Sequence, residues 1–87
     1  MANHRSAKKR IRQTLKRTLR NKHIRATVRG SIKRVRAAIG ERDAEGANAA
    51  LALAARHIDR AVSKGVYHRK TGSRYISRLS GQVARLS

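Results

Sequence analysis

The residues of this sequence that are most able to do chemistry are its lysines and arginines. Residues 1–40 contain fourteen lysines and arginines and no acidic residue. Over the whole chain, arginine outnumbers lysine sixteen to seven, and the planar guanidinium pairs with two phosphate oxygens at once. A merely solvated charged surface has no need of that preference. The composition therefore indicates ionic binding of phosphate groups rather than covalent chemistry.

The first basic cluster lies in residues 1–23, which we call the arm, and reaches just beyond it. On a helix, which turns about 100° per residue, these cations point in every direction. They are Lys8, Lys9, Arg10, Arg12, Lys16, Arg17, Arg20, Lys22 and Arg25. Because like charges three and four residues apart repel, the arm alone is expected to be frayed or unfolded. A cleft between RNA helices supplies counter-charge on more than one side.

A second basic cluster spans the turn before the last predicted helix and the outer face of that helix. It consists of Lys64, His68, Arg69, Lys70, Arg74 and Arg78. Phosphate binding is favoured for Arg69, Lys70 and Arg74. Lys64 serves equally well to oppose the dipole of the preceding helix, and His68 can be a turn residue. The chain has only two aromatic residues, too few for base stacking, so backbone and shape recognition is expected.

Acidic residues and histidines offer little for catalysis or metal binding. Asp43 is expected to cap a helix, and the other three carboxylates are explained as turn or surface charges. The four histidines are scattered without the spacing of metal ligands, and the chain has no cysteine. We therefore expect no enzyme activity, no metal and no cofactor.

Length and charge restrict the class of protein further. A chain of 87 residues has room for one domain with a thin core. A net charge of +19 makes the free chain repel itself, so its normal partner must be anionic. No apolar run approaches the roughly 18 residues that cross a bilayer. A cytoplasmic protein is expected.

The helices that must position the cations can be read from caps and periodicity. Proline is absent, and apolar residues recur at helical spacing, so the fold is predicted to be all-α. Ser6 and Asp43 are expected to be N-caps, and Gly40 a left-handed C-cap. The three predicted helices run over Ser6–Ile39, Ala44–Ser63 and Lys70–Arg85.

These helices predict a three-helix bundle over residues 24–87, with the arm projecting beyond it. The first helix supplies an apolar stripe of Ile24, Val28, Ile32, Val35 and Ile39. The other two helices are about half as long, so they cover only its C-terminal half. Ile11, Leu15 and Leu19 share a face roughly 150° from that stripe. Either the helix bends near residues 21–23, or these three side chains contact something other than the bundle.

Particular segments resemble the family of bacterial small-subunit ribosomal proteins numbered twenty. They are Met1-Ala2-Asn3, Ser6-Ala7-Lys8-Lys9-Arg10, Arg20-Asn21-Lys22, the turn over Gly40 to Asp43, and Ser63-Lys64-Gly65-Val66-Tyr67-His68-Arg69-Lys70. The likeness covers the whole chain. This chain departs from the family pattern at Thr71-Gly72-Ser73, which leaves open whether the third helix starts before or after Gly72. Tyr67 also replaces the usual aliphatic residue.

The resemblance implies a three-helix bundle that binds 16S rRNA directly and early in assembly. It implies a place low on the body of the small subunit, with the 5′ domain and the 3′ minor domain as partners. Other small-subunit components are also expected as partners, and no homo-oligomer is expected. The residues implied as RNA contacts are Asn3, Ser6, Lys8, Lys9, Arg10, Lys64, His68, Arg69 and Lys70. We add Arg5 and Arg29 from the acid-free stretch, and Asn21 from the resembling segment.

Two other functions share some of these features. A DNA-compacting basic protein would carry the same charge, but DNA-binding proteins usually present a recognition helix or a disordered basic tail. A cationic helix on a membrane surface needs an apolar face with bulky anchors, and the arm has neither Trp nor Phe. RNA binding is therefore the prediction, DNA compaction is its alternative, and no membrane partner is expected.

Overall fold

A computed structural model describes the backbone over residues 2–86 and the side chains over residues 5–86. This part of the chain forms three helices and no strand: α1 (Ala2–Gly40), α2 (Ala44–Ser63) and α3 (Arg69–Leu86). The molecule extends over 64 × 21 × 13 Å, and α1 accounts for most of that length because 39 residues span about 58 Å. The all-α prediction is confirmed.

The start of α1 differs from the prediction. The helix begins at Ala2, and Ser6 lies inside it with an exposed side chain, so Ser6 is not an N-cap. The reason is local: residues 2–6 include neither proline nor glycine, and nothing in them stops helical hydrogen bonding from continuing toward the N-terminus.

The end of α1 differs as well, because the left-handed residue is Arg42 (φ 57°) and not Gly40. Two backbone hydrogen bonds close the turn: the amide of Asp43 donates to the Ala38 carbonyl at 2.9 Å, and that of Arg42 donates to the Ile39 carbonyl at 3.0 Å. This is a Schellman ending with its αL position two residues beyond Gly40. The chain thereby reaches α2 in the register that Asp43 needs as a cap.

Both ends of α2 agree with the prediction. Asp43 Oδ1 accepts a hydrogen bond from the amide of Gly46 at 2.9 Å, which satisfies one of the free donors of the first turn. The helix stops at a second Schellman turn, where Gly65 holds the left-handed conformation at φ 77°. The amide of Val66 donates to the Ala61 carbonyl at 2.9 Å.

The third helix begins before Gly72, at Arg69. Gly72 is buried, and a Cβ built on it would lie 2.6 Å from Cγ2 of Val62 and 3.3 Å from Cγ2 of Ile58. The glycine therefore allows a close approach of α3 to α2 at this point. The departure from the family pattern at this position has a packing reason.

The core lies between the C-terminal half of α1 and the two shorter helices. Its buried side chains are Val28 and Val35 of α1, Ala47, Ala54, Ile58 and Ala61 of α2, and Leu79 and Val83 of α3. Ile24, Ile32 and Ile39 pack against this cluster, which confirms the predicted stripe. Ser31 is also buried, and its hydroxyl donates to the Val28 carbonyl at 2.7 Å.

Candidate nucleic-acid interface

The arm is an uninterrupted helix that carries its cations into solvent. Every described side chain from Arg5 to Arg20 is exposed, and the helix continues without a break through residues 21–23. Ile11, Leu15 and Leu19 are 59%, 60% and 68% exposed. These three side chains therefore do not pack on the bundle, and the surface that they contact stays a prediction.

Contacts of Arg20 join the arm to the turn between α2 and α3. Its Nη2 donates to the Lys64 carbonyl oxygen at 3.5 Å, the long limit of hydrogen bonding. Its Nε and Nη2 also lie 3.4 and 3.3 Å from Oδ1 of Asn21. The two basic clusters, separated in sequence, therefore meet where the arm leaves the bundle. We call this meeting point the junction.

Two residues of the turn between α2 and α3 have different roles: His68 caps a helix, and Lys64 presents a free cation. Nδ1 of His68 accepts the amide hydrogen of Lys70 at 3.1 Å, so His68 caps the first turn of α3 through its side chain. The turn interpretation of His68 is supported, and Nε2 is the ring nitrogen left for a ligand. Lys64 is the C-cap residue of α2, where its charge opposes the helix dipole. Its exposed ammonium group is also available to phosphate.

A groove between α1 and α3 brings further cations together. It has a volume of about 430 Å³, and its apolar lining includes Ile32 and the buried Leu79. Four cations border it: Arg29, Lys33, Arg36 and Arg78. Arg29 and Arg78 were predicted as contacts, whereas Lys33 and Arg36 were missed. Lys33 lies four residues after Arg29 and Arg36 three residues after Lys33, a spacing that places all three on one face of α1 and could have revealed them.

The other predicted contact residues keep their side chains at the surface. Asn21 is half-buried at the junction, and Asn3 lies outside the described side chains. The exposed ones are Arg5, Ser6, Lys8, Lys9, Arg10, Arg12, Lys16, Arg17, Arg20, Lys22, Arg25, Arg29, Lys64, His68, Arg69, Lys70, Arg74 and Arg78. The structure therefore leaves these groups accessible to a ligand.

Charge is distributed unequally along the molecule. Three of the four acidic residues, Glu41, Asp43 and Glu45, lie in the α1–α2 turn or the first turn of α2. That end of α1 is about 30 Å from Arg20 along the helix axis. The arm and the junction therefore form a positive end, and an approaching polyanion is steered toward them.

Metal-binding and membrane-spanning features find no support in the described part of the chain. Among the described residues, no group of three or more His, Cys, Asp or Glu side chains is arranged to hold a metal ion. None of the helices described here has the length and apolar character to cross a membrane. The chemistry that the described surface offers is the pairing of fixed cations with an extended anion.

Comparison with known proteins gives a consistent result. The model of the family described as ribosomal protein S20 matches residues 2–84. A relative from Citrifermentans bemidjiense is 57% identical over 83 residues, covering 95% of each chain. One from Geotalea daltonii is 56% identical over 87 residues, covering 100% of each. One from Helicobacter acinonychis is 44% identical over 87 residues, covering 100% of this chain and 98% of the relative. All three bear the name small ribosomal subunit protein bS20.

Proposed function

The chain belongs to the ribosomal protein S20 family, and we propose that it binds 16S rRNA directly through phosphate contacts and helps to order that RNA during assembly. The family is one of structural components of the small ribosomal subunit and not of enzymes. The place of action is accordingly the small subunit in the cytoplasm. The partners are the 5′ domain and the 3′ minor domain of 16S rRNA, with other subunit components.

The observation that carries the proposal is the junction. Arg20 of the arm reaches the carbonyl of Lys64 in the turn, so the two clusters adjoin at this point. Exposed cations surround the arm on all sides, and a flat or one-sided anion leaves most of them unpaired. A cleft between folded RNA helices presents phosphates on several sides at once.

Binding proceeds in an order set by range and rigidity. Long-range attraction captures the RNA first, because the net charge of +19 acts over about a Debye length. The arm then settles between phosphate rows, which relieve its internal repulsion. The bundle acts as a rigid handle, and the groove cations Lys33 and Arg36 extend the phosphate contacts along α1.

A salt titration with a competitor tests this function. Binding of the protein to a 16S rRNA 5′-domain transcript is measured over a range of salt concentrations, against duplex DNA of equal charge, with helicity followed by circular dichroism. We expect binding to the transcript to survive competition, and helicity to rise on complex formation. Equal competition by DNA at every salt concentration would replace this proposal with the DNA-compacting alternative.

A further inference from the structure

Three exposed aliphatic side chains form a stripe along the arm. Ile11, Leu15 and Leu19 are 59%, 60% and 68% exposed, and their spacing of four residues stacks them along about 12 Å of one helix face. Ala7 extends the same face by one turn. Single exposed apolar residues are common, but an aligned group on a helix rich in cations points to a partner. We call Ile11, Leu15 and Leu19 the arm stripe.

The neighbours of the arm stripe restrict what can cover it. Lys8, Arg12 and Lys22 lie within about 60° of its centre on the helix, and all three are exposed. Any partner must therefore offer apolar surface and negative charge at the same spacing. A second copy of this chain would bring cations against cations, since each copy carries +19. The bundle lies on the opposite side of α1.

An RNA helix has the required arrangement. Its minor groove is wide and shallow, and riboses line it between two rows of phosphates. Aliphatic side chains can rest on the ribose carbons while cations on either side reach the phosphates. We propose that the arm stripe packs against riboses in the minor groove of an rRNA helix. This proposal rests on the proposed function, and it assigns to the arm a component of binding that does not depend on salt.

Salt dependence separates the stripe from its cations. Removal of a cation that contacts phosphate lowers the slope of log affinity against log salt by about 1. Removal of an apolar side chain from the interface lowers affinity equally at every salt concentration and leaves the slope unchanged. The stripe can therefore be tested apart from the charge that surrounds it.

The test variant is Leu15→Gln/Leu19→Gln, because glutamine has nearly the helix propensity of leucine. The control is Leu53→Gln, which makes the same change at a leucine that is 40% exposed on α2. Affinity for the 5′-domain transcript is expected to fall on the order of tenfold at each salt concentration in the double variant. The slope stays unchanged, and the control binds like the wild type. Leu15→Met/Leu19→Met, which keeps the surface apolar, is expected to retain the affinity.

Hydroxyl-radical probing gives a second readout, because this reagent attacks solvent-accessible ribose. A discrete set of riboses is expected to be protected by the wild type and by Leu53→Gln, and exposed again in the double glutamine variant. Unchanged affinity and unchanged protections in that variant would overturn the proposal. The proposal would also be overturned if the wild type formed a dimer in sedimentation, or bound phosphatidylserine vesicles, and the double glutamine variant did not. Failure of the proposed function differs from all of these, because the wild type itself would then not prefer RNA over DNA.

Discussion

The guanidinium of Arg20 lies 3.5 Å from the carbonyl oxygen of Lys64, across 44 positions of sequence. Lys64 is the C-cap of α2, and its carbonyl is one of the last of that helix, where the negative end of the helix dipole attracts a cation. One side chain thus both extends the basic surface and holds the arm against the turn that carries the second cluster.

Arg20→Gln tests this double role against Arg17→Gln, which removes an exposed arginine of the same arm. Each variant is expected to lower the salt slope of RNA binding by about 1, because one phosphate is then left without its arginine. Only Arg20→Gln is expected to destabilise the free protein, by about 0.5 kcal/mol, and to speed hydrogen exchange at the amides of Gly65 and Val66. Equal exchange rates in the two variants would show that Arg20 does not stabilise the turn.

The α1–α2 turn yields similar expectations for two neighbouring positions, for different reasons. Arg42→Gly relieves a left-handed conformation at a side-chain-bearing residue and should stabilise the protein by about 0.5–1 kcal/mol. Gly40→Ala should stabilise it by a similar amount of about 0.5–1 kcal/mol, because Gly40 is helical and a Cβ there meets nothing within 4 Å. Urea unfolding measures both. If Gly40→Ala destabilised the protein instead, Gly40 and not Arg42 would be the left-handed residue.

Packing at Gly72 can be tested against a second glycine of α3. Gly72→Ala forces a methyl group toward Val62 and is expected to destabilise the protein by about 1–3 kcal/mol. Gly81→Ala is the matched control, because a Cβ at that position meets nothing within 4 Å, and it should be neutral or stabilising. Thermal unfolding followed by circular dichroism distinguishes the two. Equal effects would mean that α3 does not depend on the close approach at Gly72.

The contribution of the groove is tested with variants of equal charge. Lys33→Ala/Arg36→Ala removes two of the four cations that border the α1–α3 groove. Arg34→Ala/Arg56→Ala removes two exposed arginines that do not line it. The groove variant should lower the salt slope of RNA binding by about 2, and the control by less. Identical slopes in the two variants would mean that the groove cations contribute to binding only through the net charge of the protein.

Stability of the free protein should depend on salt. The core contains no Phe or Trp, and the arm has like charges on every side. At low ionic strength we expect the helix signal in circular dichroism to disappear first from the arm and then from the bundle, in a broad transition. Added sulfate should raise the helical content. One cooperative transition at high temperature and low salt would contradict this expectation.

Local signals predicted most of the fold. Asp43, an acid just before an Ala-rich amphipathic segment, identified the start of α2, and Gly65 identified its end, because each satisfies free backbone groups through its own chemistry. The predictions for Ser6 and Gly40 were wrong because a residue acts as a cap only at the end of a helix, and both residues lie within α1. The helix starts earlier than predicted because its N-terminal run is longer, and it ends where the amides of Arg42 and Asp43 donate hydrogen bonds to the Ile39 and Ala38 carbonyls. The boundary of the arm at residues 23 and 24 stays a prediction.

The site was predicted as a set of cations but not as an arrangement. Composition identifies exposed arginines, whereas the contact of Arg20 with Lys64 depends on how α2 packs against α1, which no local pattern contains. Lys33 and Arg36 share a face of α1 with Arg29, which the sequence spacing could have shown, but their place beside a groove depends on where α3 lies. The capping contact of His68 likewise depends on the path of the turn.

Because one unbroken helix, α1, forms the arm and part of the bundle, it fixes both the distance and the rotation between them. Each residue added near position 22 would lengthen α1 by about 1.5 Å and turn the arm by about 100° relative to the bundle. The arm stripe and the groove would then face different directions from those they have now. In the proposed complex, RNA elements bound at the two ends of α1 would be set at a defined spacing and a defined rotation, so the protein would transmit orientation as well as neutralise charge.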